Sequence, residues 1–271
     1  RIDNGKASNW FNDSLSPGDT LFVAKPEGNF TLKENEKNII CIAVGSGITP
    51  ILAIAKSLES KESNCQIFFG NRHEKNIPFK NELDQLKNSS VQYFLSGEQK
   101  DDYTDGRIDK DAFSSIIKND LSLLKYDAYF LCGPEQLIID SEEILKMFGV
   151  AEDKIHYELF TTPVLLASNT ADEVQGYVGT SKVKVTLDDE TIEFELKSEG
   201  KTILEKVNDD GLDAPYSCRG GVCCTCKAKV LEGKASMTLN YALSDAEVEE
   251  GYILTCQAHP ASDVVIISYD E

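Results

Sequence analysis

The sequence predicts a multidomain protein: the remnant of an antiparallel β-barrel, then an α/β domain on a parallel sheet, then a smaller α+β domain of β-grasp type. Three observations carry this. Between residues 38 and 160, short continuous apolar runs alternate with helix-like ones, the signature of a parallel sheet covered on both faces. The next stretch, 161–178, keeps neither the strand nor the helix period and mixes Thr, Pro, Asn, Asp and Gly, so it reads as a linker. Beyond it, two alternating runs flank an acidic turn and are followed by a helix-like run, a cysteine-rich loop and a closing strand. A chain of 271 residues has room for two ordinary cores. The domains therefore fall at 1–36, 37–160 and 179–271.

In chain order, Ser16-Pro17-Gly18-Asp19 and Pro26-Glu27-Gly28-Asn29 are turns on either side of a strand-like run at 20–24, the tail of the barrel. The chain opens at Arg1 rather than methionine and reads as beginning within a domain. Trp10 reads as a packing anchor. The parallel domain takes its apolar runs at 39–44, 51–58, 66–69, 79–86, 91–95, 112–117, 128–132, 137–148 and 155–160. In the last domain, 182–187 and 191–196 form a hairpin around Asp188-Asp189-Glu190, 202–207 is helical, and 264–269 closes as a strand. The acidic run at 245–250 reads as the solvated face of a helix.

Composition narrows the function classes. The formal charge of −19 argues against a nucleic-acid partner and for docking onto a basic protein surface. Residues 172–271 alone hold 20 acidic and 9 basic side chains, a field suited to steering a basic partner. The longest apolar stretch, 39–55, is broken by Gly45, Gly47 and Pro50, so no membrane insertion is expected. Cys41, Cys65 and Cys132 lie inside apolar runs, where reduced thiols and a cytoplasmic location are expected. His73, His156 and His259 show no metal spacing or triad and read as ordinary surface or core residues.

Cys218, Cys223, Cys226 and Cys256 are spaced C-x4-C-x2-C-x29-C, the spacing by which a plant-type loop holds a [2Fe-2S] cluster. Between them, Arg219, Gly220, Gly221 and Val222 let backbone N–H groups turn toward sulfur, and glycine permits the close approach. Cys224 lies between two ligands and reads as a non-ligand packed into the domain. Zinc is the competing reading, but zinc ribbons and fingers pair two knuckles, and here Cys223 and Cys226 make one.

A second constellation sits at the first strand-to-helix turn of the parallel domain. Gly45-Ser46-Gly47-Ile48-Thr49-Pro50 lies where phosphates bind in such folds. Its glycines allow close backbone approach, Thr49 is the expected N-cap, and Pro50 the expected first helical residue. The second strand ends in Phe69-Gly70-Asn71-Arg72, where a cation favours the 2′-phosphate of NADP, while Glu74 nearby keeps NAD open. Cys132-Gly133-Pro134-Glu135 follows the last long strand at the same carboxyl edge.

With GSGITP, FGNR, FLCGPE and CRGGVCCTC in this order, the chain resembles, over essentially its whole length, the ferredoxin-NADP reductase superfamily fused to a C-terminal plant-type ferredoxin, as in reductases of bacterial oxygenases. The resemblance implies that Gly5, Lys6, Ala7 and Ser8 cradle an FAD pyrophosphate and that 26–30 ends an FAD-binding barrel. It implies that Thr49 and Cys132 flank the nicotinamide, that Glu158 and Phe160 lie close to flavin and nicotinamide, and that Ser96 with Arg72 meets the adenosine phosphate. The family's R-x-Y-S flavin motif is absent, so FAD is implied for the intact protein, and residues 1–271 lack the side chains that stack on its ring. Plant-type relatives often carry Arg after the serine, where this chain has Gly97. The implied function is electron transfer from NADPH through FAD and a [2Fe-2S] cluster to an oxygenase, with the linker letting the ferredoxin domain swing. A non-enzymatic ferredoxin-type carrier, and a reductase serving a ring hydroxylase or desaturase, are the rival readings.

Overall fold

The computed structural model describes residues 5–23, 25–26, 28–59, 63–163 and 177–271. It opens on helix α1 (Lys6–Asp13), which buries none of its residues. Trp10, expected to anchor packing, is half exposed on that helix and meets the ring of its neighbour Phe11 at 5.3 Å. The run at 20–24 forms no strand over its described residues: Leu21, Phe22 and Val23 are exposed. No described strand pairs with it, and without a ladder an isolated strand has nothing to hold it. Residues 28–36 instead strap onto the next domain, with Phe30 edge-on to Phe130 at 5.3 Å. Glu36, 5% exposed, accepts a hydrogen bond from His156 Nε2 at 2.9 Å.

The middle domain is a six-stranded parallel sheet of β1 (Asn38–Val44), β2 (Asn64–Asn71), β3 (Ser89–Leu95), β4 (Thr104–Asp105), β5 (Ala128–Cys132) and β6 (Ile155–Glu158). The strand order is β4-β3-β2-β1-β5-β6. Helices cover both faces, which is why β1 is buried continuously from Ile39 to Ala43. Ile39, Cys41 and Ala43 pack with α2 (Ile48–Leu58) and α3 (Lys80–Asp84). Ile40 and Ile42 pack with α4 (Lys110–Asn119) and α5 (Glu135–Met147). The order reverses between β1 and β5, the switch point at which open parallel sheets receive ligands.

The last domain begins with the hairpin β7 (Thr180–Leu187) and β8 (Glu190–Lys197). Asp188 and Asp189 turn it with φ of 50° and 63°, a tight turn whose twist matches that of the strands. Helix α6 (Ile203–Asp209) starts at Thr202, whose hydroxyl accepts the Glu205 N–H at 3.3 Å while the Glu205 carboxylate accepts the Thr202 N–H at 3.0 Å. There follow β9 (Lys227–Glu232), β10 (Ala235–Met237), α7 (Asp245–Glu249), β11 (Tyr252–Leu254), β12 (Ala258–Pro260) and β13 (Val264–Ser268). The main sheet runs β11-β9-β13-β7-β8, with β13 parallel to β7, and β10 pairs with β12 beside it. Helix α6 buries Ile203, Leu204 and Val207 in this core, as a β-grasp helix does. Most of the expected linker lies outside the described residues. No helix among the described residues is long and apolar enough to cross a membrane.

Candidate functional site

Gly45–Gly47 form a 3-10 turn between β1 and α2, and Gly45 takes a φ of +58°. A Cβ on Gly47 would lie 2.0 Å from the Cys132 carbonyl oxygen, so only glycine lets this turn close on the end of β5. The helix starts one residue before the expected cap: Gly47 is the N-cap and Thr49 lies inside the first turn, its hydroxyl donating to the Ser46 carbonyl at 2.9 Å. The 3-10 turn already supplies near-helical backbone, which moves the boundary upstream. Pro50 still falls in the first turn, where its missing N–H has no intrahelical partner to lose.

Cys132 pairs with Ala43 on one side and Glu158 on the other. Burial raises the Glu158 carboxyl. Burial, and then the Glu158 charge, push the Cys132 thiol up to about 12. Phe160, just past β6, is 48% exposed. The sheet edge thus gathers Gly45, Gly47, Cys132, Gly133 and Glu158. Gly5, Lys6, Ala7 and Ser8 stand apart at the start of α1 and line neither of the two cavities described next.

A pocket of about 720 Å³ opens at the same edge, lined by Gly45, Asn71, Arg72, Ser96, Arg107 and Pro134 among others. Arg107 was not legible as a site residue; its one local signal is Gly106, at φ +100°, which turns the chain after β4. A Cβ on Gly97 would lie 2.9 Å from Arg72 Cγ and 2.8 Å from the Arg72 carbonyl oxygen. It would also lie 2.7 Å from His73 Cε1, so any side chain at 97 presses on both Arg72 and His73. Glu74 is drawn away from the pocket, held by Lys100 and by the Tyr103 hydroxyl at 2.6 Å. Asp109 and Asp140 also line it, but Asp109 caps α4 by accepting the Ala112 N–H at 2.9 Å, and Asp140 accepts from Gln136 at 2.8 Å. Asn71 Nδ2 is buried beside the pocket with no hydrogen-bond partner, an amide left for a ligand to satisfy.

In the cysteine loop the four thiols fall into two pairs. Cys226 is raised, first by its hydrogen bond to Cys256, while Cys256 is lowered to about 6 by the same bond. Cys218 is raised by burial, and Cys223, though burial acts to raise it, is lowered by hydrogen bonds from Thr225 and Cys218. Two thiol pairs suit two irons, two thiolates each. The Gly220 N–H donates to Cys218 Sγ at 3.3 Å. Arg219 sits in the left-handed region at φ 54°, its carbonyl held by Gln257 Nε2 at 2.9 Å and its guanidinium 4.0 Å over the Tyr216 ring. Behind the loop, the Thr255 hydroxyl donates to the Cys226 carbonyl at 3.0 Å and receives the Tyr269 hydroxyl at 2.8 Å. Cys224 turns into the domain, 3.7 Å from the Ala242 carbonyl.

A separate cleft of about 660 Å³ lies between the end of β6 and the cysteine loop, lined on one side by His156, Glu158 and Leu159 and on the other by Cys223, Cys224 and Thr225, a volume typical of small-molecule sites.

A family model described as an oxidoreductase NAD-binding domain matches residues 41–143, and one described as a 2Fe-2S iron-sulfur cluster binding domain matches residues 185–261. The chain is therefore an NAD(P)H-dependent oxidoreductase with an iron-sulfur domain. A component of the 1,2-phenylacetyl-CoA epoxidase of Escherichia coli K12 is 36% identical to it, over 99% of this chain and 78% of that protein. The ferredoxin reductase component of 3-ketosteroid-9-alpha-monooxygenase from Mycolicibacterium smegmatis is 32% identical, over 100% and 76%. The solved structure of an intact type IV self-sufficient cytochrome P450 monooxygenase shares the fold, with a TM-score of 0.64 at 23% identity, over 96% of this chain and 31% of that one. The chain belongs to the family of ferredoxin-reductase components of oxygenase systems.

Proposed function

We propose that this chain takes hydride from NADPH and passes single electrons to an oxygenase of the phenylacetyl-CoA epoxidase type. The observation that carries the reading is the cleft onto which Glu158 of the nucleotide edge and Cys223 of the cysteine loop both open. Gly45 and Gly47 let the backbone approach a pyrophosphate, and Thr49, Cys132, Gly133 and Pro134 border the nicotinamide. Arg72 and Ser96, joined by Arg107, meet the 2′-phosphate, beside Asp109, which caps α4, and Asp140, which accepts from Gln136. Half-buried Glu158, whose carboxyl is raised by burial, stands beside the reacting ring.

Cys218, Cys223, Cys226 and Cys256 hold the [2Fe-2S] cluster, which supplies one-electron chemistry at a plant-type potential of about −400 mV. In the intact protein Gly5, Lys6, Ala7 and Ser8 meet the FAD pyrophosphate at the N-terminus of α1, with Glu158 and Phe160 toward its ring; FAD supplies the conversion from electron pair to single electrons. The site residues, domain limits at 1–36, 37–160 and 179–271, and linker at 161–178 are parts of this proposal. So is a cytoplasmic location, supported by Cys41 and Cys65, which stay unbridged with sulfurs 3.8 Å apart.

The test is reconstitution: FAD-loaded protein, NADPH, and purified oxygenase components of the epoxidase and the ketosteroid systems. The reading expects coupled product with the epoxidase component and NADPH favoured over NADH. Coupling to the ketosteroid component alone, or a preference for NADH, contradicts it.

A further inference from the structure

We propose that Asn29, Thr162 and Gly220 are positioning residues that seat the cysteine loop on the edge of the parallel sheet, and that position 220 is glycine for this seat rather than for the cluster. The inference rests on the electron-relay reading. The two loop glycines differ in kind. Gly221 takes a φ of +74°, and a Cβ there would lie 2.8 Å from the Leu239 carbonyl oxygen of its own domain. The fold of the loop itself demands that glycine. Gly220 is absent from the left-handed positions, so its backbone would accept any residue. Its Cβ would instead lie 1.8 Å from Thr162 Oγ1, 2.6 Å from Thr162 Cβ and 2.7 Å from Thr162 Cγ2, just past the nucleotide domain.

Other contacts fix the same seat. Asn29 Nδ2 donates to the Ala242 carbonyl at 2.8 Å and to Glu247 Oε2 at 3.0 Å, tying the 28–36 strap to the far domain. The Ala242 carbonyl is the one that Cys224 Sγ approaches, so the strap bears on the backing of the cysteine loop. Val222 and Tyr241 pack against the helix-side core of the sheet that includes Leu159, and the Tyr241 N–H donates to the Gly221 carbonyl at 2.9 Å. The seat sets the gap between the nucleotide edge and Cys223, and electron transfer slows steeply with distance.

The experiment uses the full holoprotein, loaded with cluster and FAD, as wild type, Gly220→Ala, Gly220→Ala with Thr162→Gly, and Asn29→Asp. Three quantities are read: iron per chain with the visible cluster absorption, the rate of cluster bleaching after a single addition of NADPH, and amide exchange across 157–162. Gly220→Ala is expected to keep its cluster, to bleach severalfold more slowly, and to exchange faster across 157–162. Thr162→Gly, by making room, restores both. Asn29→Asp sets a carboxylate against Glu247 and shows the same slowing without touching the loop. Bleaching and exchange at wild-type levels in Gly220→Ala, or a defect that Thr162→Gly leaves unrepaired, overturns the proposal. Wild type that NADPH does not bleach contradicts the relay reading instead, while the exchange and its rescue still judge the seat.

Discussion

The cysteine loop shows how far single residues determine the chemistry. Cys226 and Cys256 share a hydrogen bond that raises one thiol and lowers the other to about 6, so their pair is poised to yield thiolate. Replacing either with Ser is expected to abolish the visible absorption of the purified protein. Cys224→Ser, whose side chain faces the Ala242 carbonyl, should keep about two irons per chain, as an iron assay would show. Arg72 and Arg107 line one pocket, and either changed to Ala should cost about 10–100-fold in kcat/KM for NADPH with little change for NADH, since a charged hydrogen bond is worth ~1.5–3 kcal/mol. Glu158 has its folded-state pKa raised by burial. Its contribution is therefore full at pH values below its unfolded pKa and is lost as pH rises through the raised value. Glu158→Gln should match wild type in thermal midpoint near pH 4 and exceed it by about 2 °C at pH 8.

At the scale of elements, the sequence was most legible where local chemistry and packing agree. The apolar runs marked the buried strands of the parallel sheet because both faces are covered, and Thr202 with Glu205 marked a helix start because each satisfies the other's backbone. Thr202→Ala should cost about 1 kcal/mol, seen as a lower denaturation midpoint of the iron-sulfur domain. Legibility failed where an element depends on a partner far away in sequence. The run at 20–24 has strand composition, but no described strand pairs with it. Trp10 has the composition of an anchor, yet α1 buries nothing. In the candidate site, Thr49 was misplaced as a cap because a 3-10 turn is invisible to residue propensity. Arg107 was missed because it reaches the pocket from the tip of the two-residue strand β4. Gly220 does turn its N–H to a thiol, that of Cys218, as the sequence led one to expect, but only the fold reveals Thr162 against it as well.

For the whole molecule, the charge is unevenly useful. The net −19 is shared across the chain, but residues 172–271, which contain the cysteine loop that meets a partner, hold 20 acidic against 9 basic side chains. Electron delivery to an oxygenase component should therefore slow as ionic strength passes about 0.1 M, where the Debye length is ~10 Å, while reduction of a small neutral acceptor stays level. In the proposed relay one chain links a nicotinamide edge to a cluster held by Cys218, Cys223, Cys226 and Cys256. The most direct measurement is the visible and low-temperature EPR spectrum of FAD-reconstituted protein before and after anaerobic NADPH. The account predicts a red-brown protein whose cluster absorption bleaches as a reduced [2Fe-2S] signal appears; a colourless, zinc-loaded protein, or a cluster that dithionite reduces and NADPH does not, would contradict it.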